Sequence, residues 1–239
     1  GLANRLLARR AVRVCLAFEI PGRDGDRYLV TGRPVPAAIA GADRGAARER
    51  FGIAADARCL LVFGGSQGAR SINLWALDAF VGGDGTPPVA SGRDYHVLHI
   101  AGSRDYELAL TRRREASGVE RYTLLEYEPS LADSLAASDL VLARSGGSVF
   151  ELAAAGRPAI LVPYPFATAR HQQANAEWMA GAGAGVVVAD DELDPAAVAS
   201  LAGEILADTP RLEAMSRASL SLARPDAAER IAGELLGAI

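Results

Sequence analysis

Apolar runs of four to seven residues, rich in β-branched side chains, recur along the chain with segments of helical period between them. That is the pattern of strands buried on both faces of a parallel sheet and joined by crossover helices. The runs predict strands at Val12–Phe18, Tyr28–Thr31, Cys59–Phe63, His96–Ala101, Tyr122–Leu125, Leu140–Ala143, Ala159–Val162 and Gly185–Val188. Helices are expected at Leu2–Val12, Ala46–Phe51, Ala69–Phe80, Arg104–Ala116, Ser130–Ala137, Val149–Ala155, His171–Ala180, Pro195–Leu206, Pro210–Leu222 and Ala227–Ile239. Pro21–Asp26, polar and Gly-rich, reads as a loop or interdomain linker, and Val81–Arg93, with no period, as a surface insertion. The expected fold class is therefore α/β, a Rossmann-like parallel sheet with helices on both faces.

Composition narrows the partners. Of 239 residues, 50% are hydrophobic and 23% charged, with a formal net charge of -4, so the chain is globular and lacks the positive field that collects nucleic acid. Nucleic acid is not an expected partner. Arg5, Arg9, Arg10 and Arg13 interleave with Leu2, Leu6, Leu7 and Val12, a pattern suited to an anionic membrane surface or simply to a solvated helix face. No apolar run is long enough to span a bilayer, so any membrane contact would be peripheral. Two cysteines, Cys15 and Cys59, build neither a disulfide framework nor a zinc site from thiols. The chain opens on Gly1 inside a helical pattern, which reads as a fragment.

Three segments carry candidate chemistry. Gly64-Gly65-Ser66-Gln67-Gly68 follows a buried strand and leads into a helix, a geometry that exposes backbone N–H groups to an anion, although it also serves as a tight turn without a ligand. The glycine spacing is neither G-x-G-x-x-G nor that of a P-loop. Arg144-Ser145-Gly146-Gly147-Ser148 repeats the arrangement. Glu151 then falls in the first helical turn, where it can serve the helix terminus or accept from a ribose diol. The third, Pro163–Ala176, places His171, Gln172 and Gln173 at a helix start, suited to sugar hydroxyls or to a routine polar surface. All three lie at carboxyl ends of predicted parallel strands, and the fold brings such ends to one edge. A cleft with phosphate, ribose and sugar subsites follows. His96, His99 and His171 have no metal-ligand spacing and no D-x-D cluster occurs, so no metal or other cofactor is expected, and backbone N–H groups and arginines are expected to meet a diphosphate.

Taken in order, Gly64-Gly65-Ser66-Gln67-Gly68-Ala69-Arg70 with Asn73, Arg144-Ser145-Gly146-Gly147 with Glu151, Ala153–Pro158, and His171-Gln172-Gln173-Ala174-Asn175-Ala176 resemble the MurG-like glycosyltransferases of the GT-B class. Gly1–Arg5 and Thr31–Val35 are similar too. The resemblance implies that residues 1–30 are the end of an N-terminal acceptor domain and linker. It makes 31–225 a UDP-sugar-binding domain and 226–239 a last helix packing toward the N-terminal domain. It implies that Gly65, Ser66, Gln67 and Gly68 contact the donor, and that Arg144, Ser145, Gly146, Gly147 and Ser148 hold the diphosphate, with Glu151 on the ribose. Backbone at Tyr127 and Glu128 would face uracil, and Gln172 and Gln173 would reach the sugar, with His171 a further candidate.

Departures are visible. An arginine common in the family stands here as Pro36, leaving Arg33 as its candidate replacement, Glu128 is apolar in many relatives, and the Gly146–Phe150 loop looks one residue short. The implied activity is transfer of N-acetylglucosamine from UDP-N-acetylglucosamine, the expected partner, to lipid I, bound through the absent N-terminal domain, at the cytoplasmic face of the bacterial plasma membrane. The catalytic group would lie in that absent domain, leaving this chain inactive alone. Alternatives are a glycolipid glycosyltransferase, a UDP-N-acetylglucosamine 2-epimerase, or a non-catalytic nucleotide-binding module.

Overall fold

The computed structural model describes residues 6–65, 67–82, 87–167 and 170–237. Two parallel sheets are present. A small one pairs β1 (Val14–Leu16) with β2 (Tyr28–Val30). The large one contains β3 (Arg58–Phe63), β4 (Tyr95–Ile100), β5 (Tyr122–Leu125), β6 (Leu140–Ala143), β7 (Ala159–Leu161) and β8 (Gly185–Val187) in the order β5-β4-β3-β6-β7-β8. Counted from its own first strand, that is 3-2-1-4-5-6, the doubly wound order of dinucleotide-binding domains.

Ten helices with assigned ends are described: α1 (Ala38–Gly41), α2 (Arg44–Phe51), α3 (Arg70–Phe80), α4 (Tyr106–Glu115), α5 (Leu131–Ala137), α6 (Val149–Ala154), α7 (His171–Gly181), α8 (Pro195–Ala207), α9 (Thr209–Ser221) and α10 (Ala227–Leu236). Alternation along β3 explains the layers. Leu60 and Val62 face a core with Ile72, Phe80 and Ile205 of α3 and α8, whereas Cys59, Leu61 and Phe63 face Phe51, Leu135, Leu152 and Met179 of α2, α5, α6 and α7. Helix starts follow their caps: Asp43 accepts from Ala46 N at 2.6 Å and Asp194 from Ala197 N at 2.7 Å.

Several expected bounds change. The first strand is Val14–Leu16, because the chain leaves the small sheet and Phe18 stacks on Trp178 at 5.3 Å between centroids. The helix expected over Leu2–Val12 is seen only at 6–8, with Arg9 and Arg10 already in a turn; residues 1–5 lie outside the described set. Val81 is buried rather than part of a surface insertion. The short α1 and a 3-10 turn at Asp190–Glu192 were not anticipated, both lacking a run long enough to show a period. No described helix is long and apolar enough to cross a membrane.

Buried charge fixes the amino-terminal edge of the sheet. Asp139, just ahead of β6, accepts from Arg44 at 2.7 Å, from Arg48 at 2.9 Å and from Cys59 N at 2.9 Å. Arg44 and Arg48 also donate to carbonyls at the end of α5. Arg48 is buried, so removing the carboxylate strands a cation. Asp139→Ala should cost about 3–5 kcal/mol in urea denaturation.

Two histidines of β4 are buried neutral. His99 lies between Asn73 Oδ1, at 3.0 Å, and the Tyr122 hydroxyl. Asn73 uses its amide NH2 on Ala101 O and Asp105, so its oxygen accepts from His99 Nε2–H and Tyr122 donates to Nδ1. Burial drives His99 down to about 3 against the weaker pull of Asp105. Burial also takes His96 to about 4, with Arg93, Arg121 and Arg48 acting in the same direction. Both folded values lie below the ordinary value near 6.5, so the stability they contribute is complete above that pH. It is lost as pH falls through the window toward 4 and 3. Unfolding free energies from urea denaturation should fall between pH 6.5 and 5 with a slope of up to about 2.7 kcal/mol per pH unit, and His96→Gln/His99→Gln should flatten that profile. A flat wild-type profile would contradict the assignment.

Candidate functional site

Strand order reverses between β3 and β6, so the loops leaving their carboxyl ends diverge and open a crevice. A cleft of about 950 Å³ lies there. Its floor is the turn after β3 and the loop after β6; one end is closed by Tyr127, Glu128 and Leu131, the other by Tyr164, Gln172 and Asp190.

The glycines of the first turn divide the work. A Cβ on Gly68 would stand 2.1 Å from Ala101 O, and one on Gly64 2.2 Å from Ala69 N. Gly102, after β4, would meet Gly68 N at 2.4 Å. These three let backbone pack against backbone. Gly65 differs, with φ +96° and nothing within 4 Å, so it is the glycine that faces open space. Gln67 and Gly68 also line the cleft. Ser66 lies outside the described residues.

The second loop is tied to α7. Ser145 Oγ donates to Gln172 O at 2.8 Å, and Asn175 Nδ2 donates to the carbonyls of Ser145 at 2.9 Å and Gly146 at 3.2 Å. Ser145 is thereby buried, while Gly146, Gly147 and Ser148 line the cleft. Arg33 lies on the loop's other side: a Cβ on Gly147 would be 2.5 Å from its Nη1, and its guanidinium sits 5.6 Å over the Phe150 ring. Glu151 lines the cleft, and burial raises its carboxyl above the usual range while Arg33 opposes the shift.

Arg144 reaches the cleft wall but is engaged by protein. It pairs with Asp190, and it donates to Ser71 Oγ at 2.8 Å and to the carbonyls of Val162 at 3.2 Å and Pro163 at 3.3 Å. Tyr164 stacks on it at 5.4 Å. Arg70, also at the wall, is held by buried Asp105 at 2.8 Å and stays largely exposed. Arg104 is a further cation in the lining.

At the ends of the cleft, Tyr127 is exposed and Glu128 turns its side chain inward. The Glu128 carboxylate takes Arg50 at 2.7 Å and Ser130 N at 2.8 Å, so only its position in the loop serves the cleft. Gln172 accepts from Tyr164 N at 2.9 Å, which sets its amide orientation. Gln173 points elsewhere, donating to Glu177 at 2.9 Å, and it does not line the cleft. His171 is exposed at the start of α7, after Arg170 in the left-handed region at φ 52°.

Sequence reasoning missed Ser71, Arg104 and Asp190 as lining residues and named Tyr164 only as part of the Pro163–Ala176 segment. Arg104, Tyr164 and Asp190 each lie just beyond a strand's carboxyl end, which was the usable signal. Among the described residues no group of three His, Cys, Asp or Glu could hold a metal ion.

A doubly wound sheet with a ligand-sized cleft at its switch point defines a Rossmann-like α/β domain. Residues 59–231 match the model for the glycosyltransferase family 28 C-terminal domain, and the chain belongs to that family. It is 41% identical to the UDP-N-acetylglucosamine--N-acetylmuramyl-(pentapeptide) pyrophosphoryl-undecaprenol N-acetylglucosamine transferase of Moorella thermoacetica, over 97% of this chain and 63% of the relative. It is 42% identical to the enzyme of the same name from Mycobacterium avium, over 97% of this chain and 55% of the relative. A crystal structure of Acinetobacter baumannii MurG superposes with a TM-score of 0.72 at 25% identity, covering 100% of this chain and 64% of that one. The chain thus spans between about half and two thirds of these relatives.

The glycine geometry makes a separable prediction. Gly68→Ala and Gly102→Ala should each cost more than about 3 kcal/mol, because backbone must move, whereas Gly65→Ala should cost only about 1 kcal/mol for its left-handed backbone. Thermal melts of the three variants distinguish the classes. Equal losses would show that Gly65 also packs.

Proposed function

We propose that this chain is the donor-binding part of an inverting glycosyltransferase. The whole enzyme moves N-acetylglucosamine from UDP-N-acetylglucosamine to lipid I, making lipid II for peptidoglycan. The observation that carries the reading is the convergence of three loops on one switch-point cleft, each offering a different chemistry. Backbone around Gly65 and Gly146–Ser148 suits a diphosphate, Glu151 a ribose diol, and Gln172 a sugar. The uracil would lie toward Tyr127 and Glu128. Names of the relatives supply the donor and the acceptor.

The chemistry assigned to these residues is positioning and leaving-group stabilisation. In an inverting displacement the acceptor hydroxyl attacks the anomeric carbon and the bond to UDP breaks, so negative charge grows on the diphosphate. Arg70, preorganised by Asp105, and Arg104 stand at the wall to meet it, with loop amides and without a metal ion or other cofactor. Lipid I and the group that activates its hydroxyl are assigned to the part of the relatives that this chain does not span. The enzyme would work at the cytoplasmic face of the plasma membrane as a peripheral protein. Product analysis of a whole enzyme separates this from the 2-epimerase and glycolipid transferase readings.

Donor binding is testable on the chain as it stands. UDP at ten times its Kd should stabilise it by about 1.4 kcal/mol, roughly 3–6 °C in a thermal melt. Glu151→Ala should weaken UDP about tenfold or more, as expected for loss of hydrogen bonds to a charged acceptor. No shift at millimolar UDP would refute the donor site.

A further inference from the structure

At the β7–β8 end of the cleft, one carboxylate is held so that its two oxygens have different tasks. Asp190 Oδ1 takes both Arg144 and Ser71, the latter at 2.7 Å. Oδ2 is the oxygen on which none of these bonds falls, and the side chain, 23% exposed, belongs to the cleft wall. Arg144 is fixed in turn by the Val162 and Pro163 carbonyls and by Tyr164. The carboxylate is therefore braced from three elements.

Gln172 shows the complementary bias in the same stretch of wall. Its Oε1 is taken by Tyr164 N, and its Nε2 stands 4.0 Å from the position of a Cβ on Gly146, over the second loop. The cleft end thus offers an acceptor from Asp190 and a donor from Gln172, joined through Tyr164 and Arg144. A braced acceptor and a braced donor suit a ring that carries hydroxyls beside a second oxygen function. They do not suit a phosphate, which a carboxylate repels.

We propose that Asp190 reads the hexose of the bound nucleotide sugar, with Oδ2 accepting from a ring hydroxyl while Gln172 Nε2 donates to another oxygen of the same sugar. The assignment rests on the donor-site reading above and adds a specificity residue to it. Arg144 then has a positioning task, holding Asp190, in place of a contact with the diphosphate. Polar selection of this kind discriminates, because a wrongly substituted sugar covers the Asp190 acceptor and leaves it unmatched.

Calorimetric titration of the full chain with UDP and with UDP-N-acetylglucosamine tests the proposal. In Asp190→Asn the oxygen that stays on Arg144 turns an NH2 toward the cleft, a donor where an acceptor stood. Affinity for UDP-N-acetylglucosamine should fall about tenfold or more, while that for UDP should change less than about twofold. Asp190→Glu keeps Arg144 paired but displaces the carboxylate, and it should lower the same ratio; it serves if the Asn variant melts early. Equal losses for both ligands would mean that Asp190 acts only through Arg144, and an unchanged ratio in both variants would likewise overturn the assignment. Failure of the wild-type chain to bind UDP is a different result, which removes the donor-site reading itself.

Discussion

Strand β6 is held at both ends by a buried charge, and the architecture around the cleft follows from that. Asp139 precedes the strand and gathers Arg44, Arg48 and the Cys59 amide at one edge of the sheet. Arg144 follows it and gathers Ser71, Asp190 and two carbonyls at the other. Between them stand only Leu140–Ala143, apolar and fully buried. A parallel strand covered on both faces has nothing polar along its length with which to define its register. Charges at its two ends do so, because a slip by one residue would carry an ion into the core unpaired. Since β6 borders the strand-order reversal, fixing it fixes the cleft.

The same arrangement sorts the cations of the site. A guanidinium in the cleft is a natural candidate for a diphosphate, but one already matched by a carboxylate and three oxygens has little left to offer an anion. Arg144 is of that kind. Arg70 is not, since one carboxylate orients it while most of its surface remains in solvent. Preorganisation without full coordination is what stabilises a leaving group, because the charge is in place before it is needed and no partner must be released.

How far the sequence was legible follows the range of the interactions involved. Strands β3, β4, β6 and β7 were visible as apolar runs because burial on both faces is written into consecutive residues, and β5 and β8, only partly buried, as shorter ones. The cleft's location followed from topology, and the family resemblance pointed to Glu151 and Gln172. What was not legible depends on partners distant in the chain. Gly64 and Gly68 look like ligand glycines, yet they touch Ala69 and Ala101. Ser145 looks like a donor to substrate and instead binds Gln172 O. Gln173 resembles Gln172 in every local respect, but one residue of helix rotation turns it onto Glu177. Asp190 sits in an acidic run with no motif about it.

The small sheet is coupled to the cleft by one aromatic stack. Phe18, two residues beyond β1, forms a triangle of rings with Phe150 at 6.3 Å and Trp178 at 5.3 Å, those two being 5.2 Å apart. Phe150 precedes Glu151 on α6, and Trp178 is on α7, the helix that begins with His171 and Gln172. Gly32 completes the junction, since its N–H bonds to Leu16 O and a Cβ there would strike Arg224 at 2.4 Å. A rotation of the small sheet must therefore either unstack Phe18 or pull on the two helices that present Glu151 and Gln172 to the cleft. Packed aromatic surfaces hold discrete arrangements better than graded ones. The junction is thus stiff along the stack, and whatever is attached to the small sheet shares a mechanical boundary with the ligand loops.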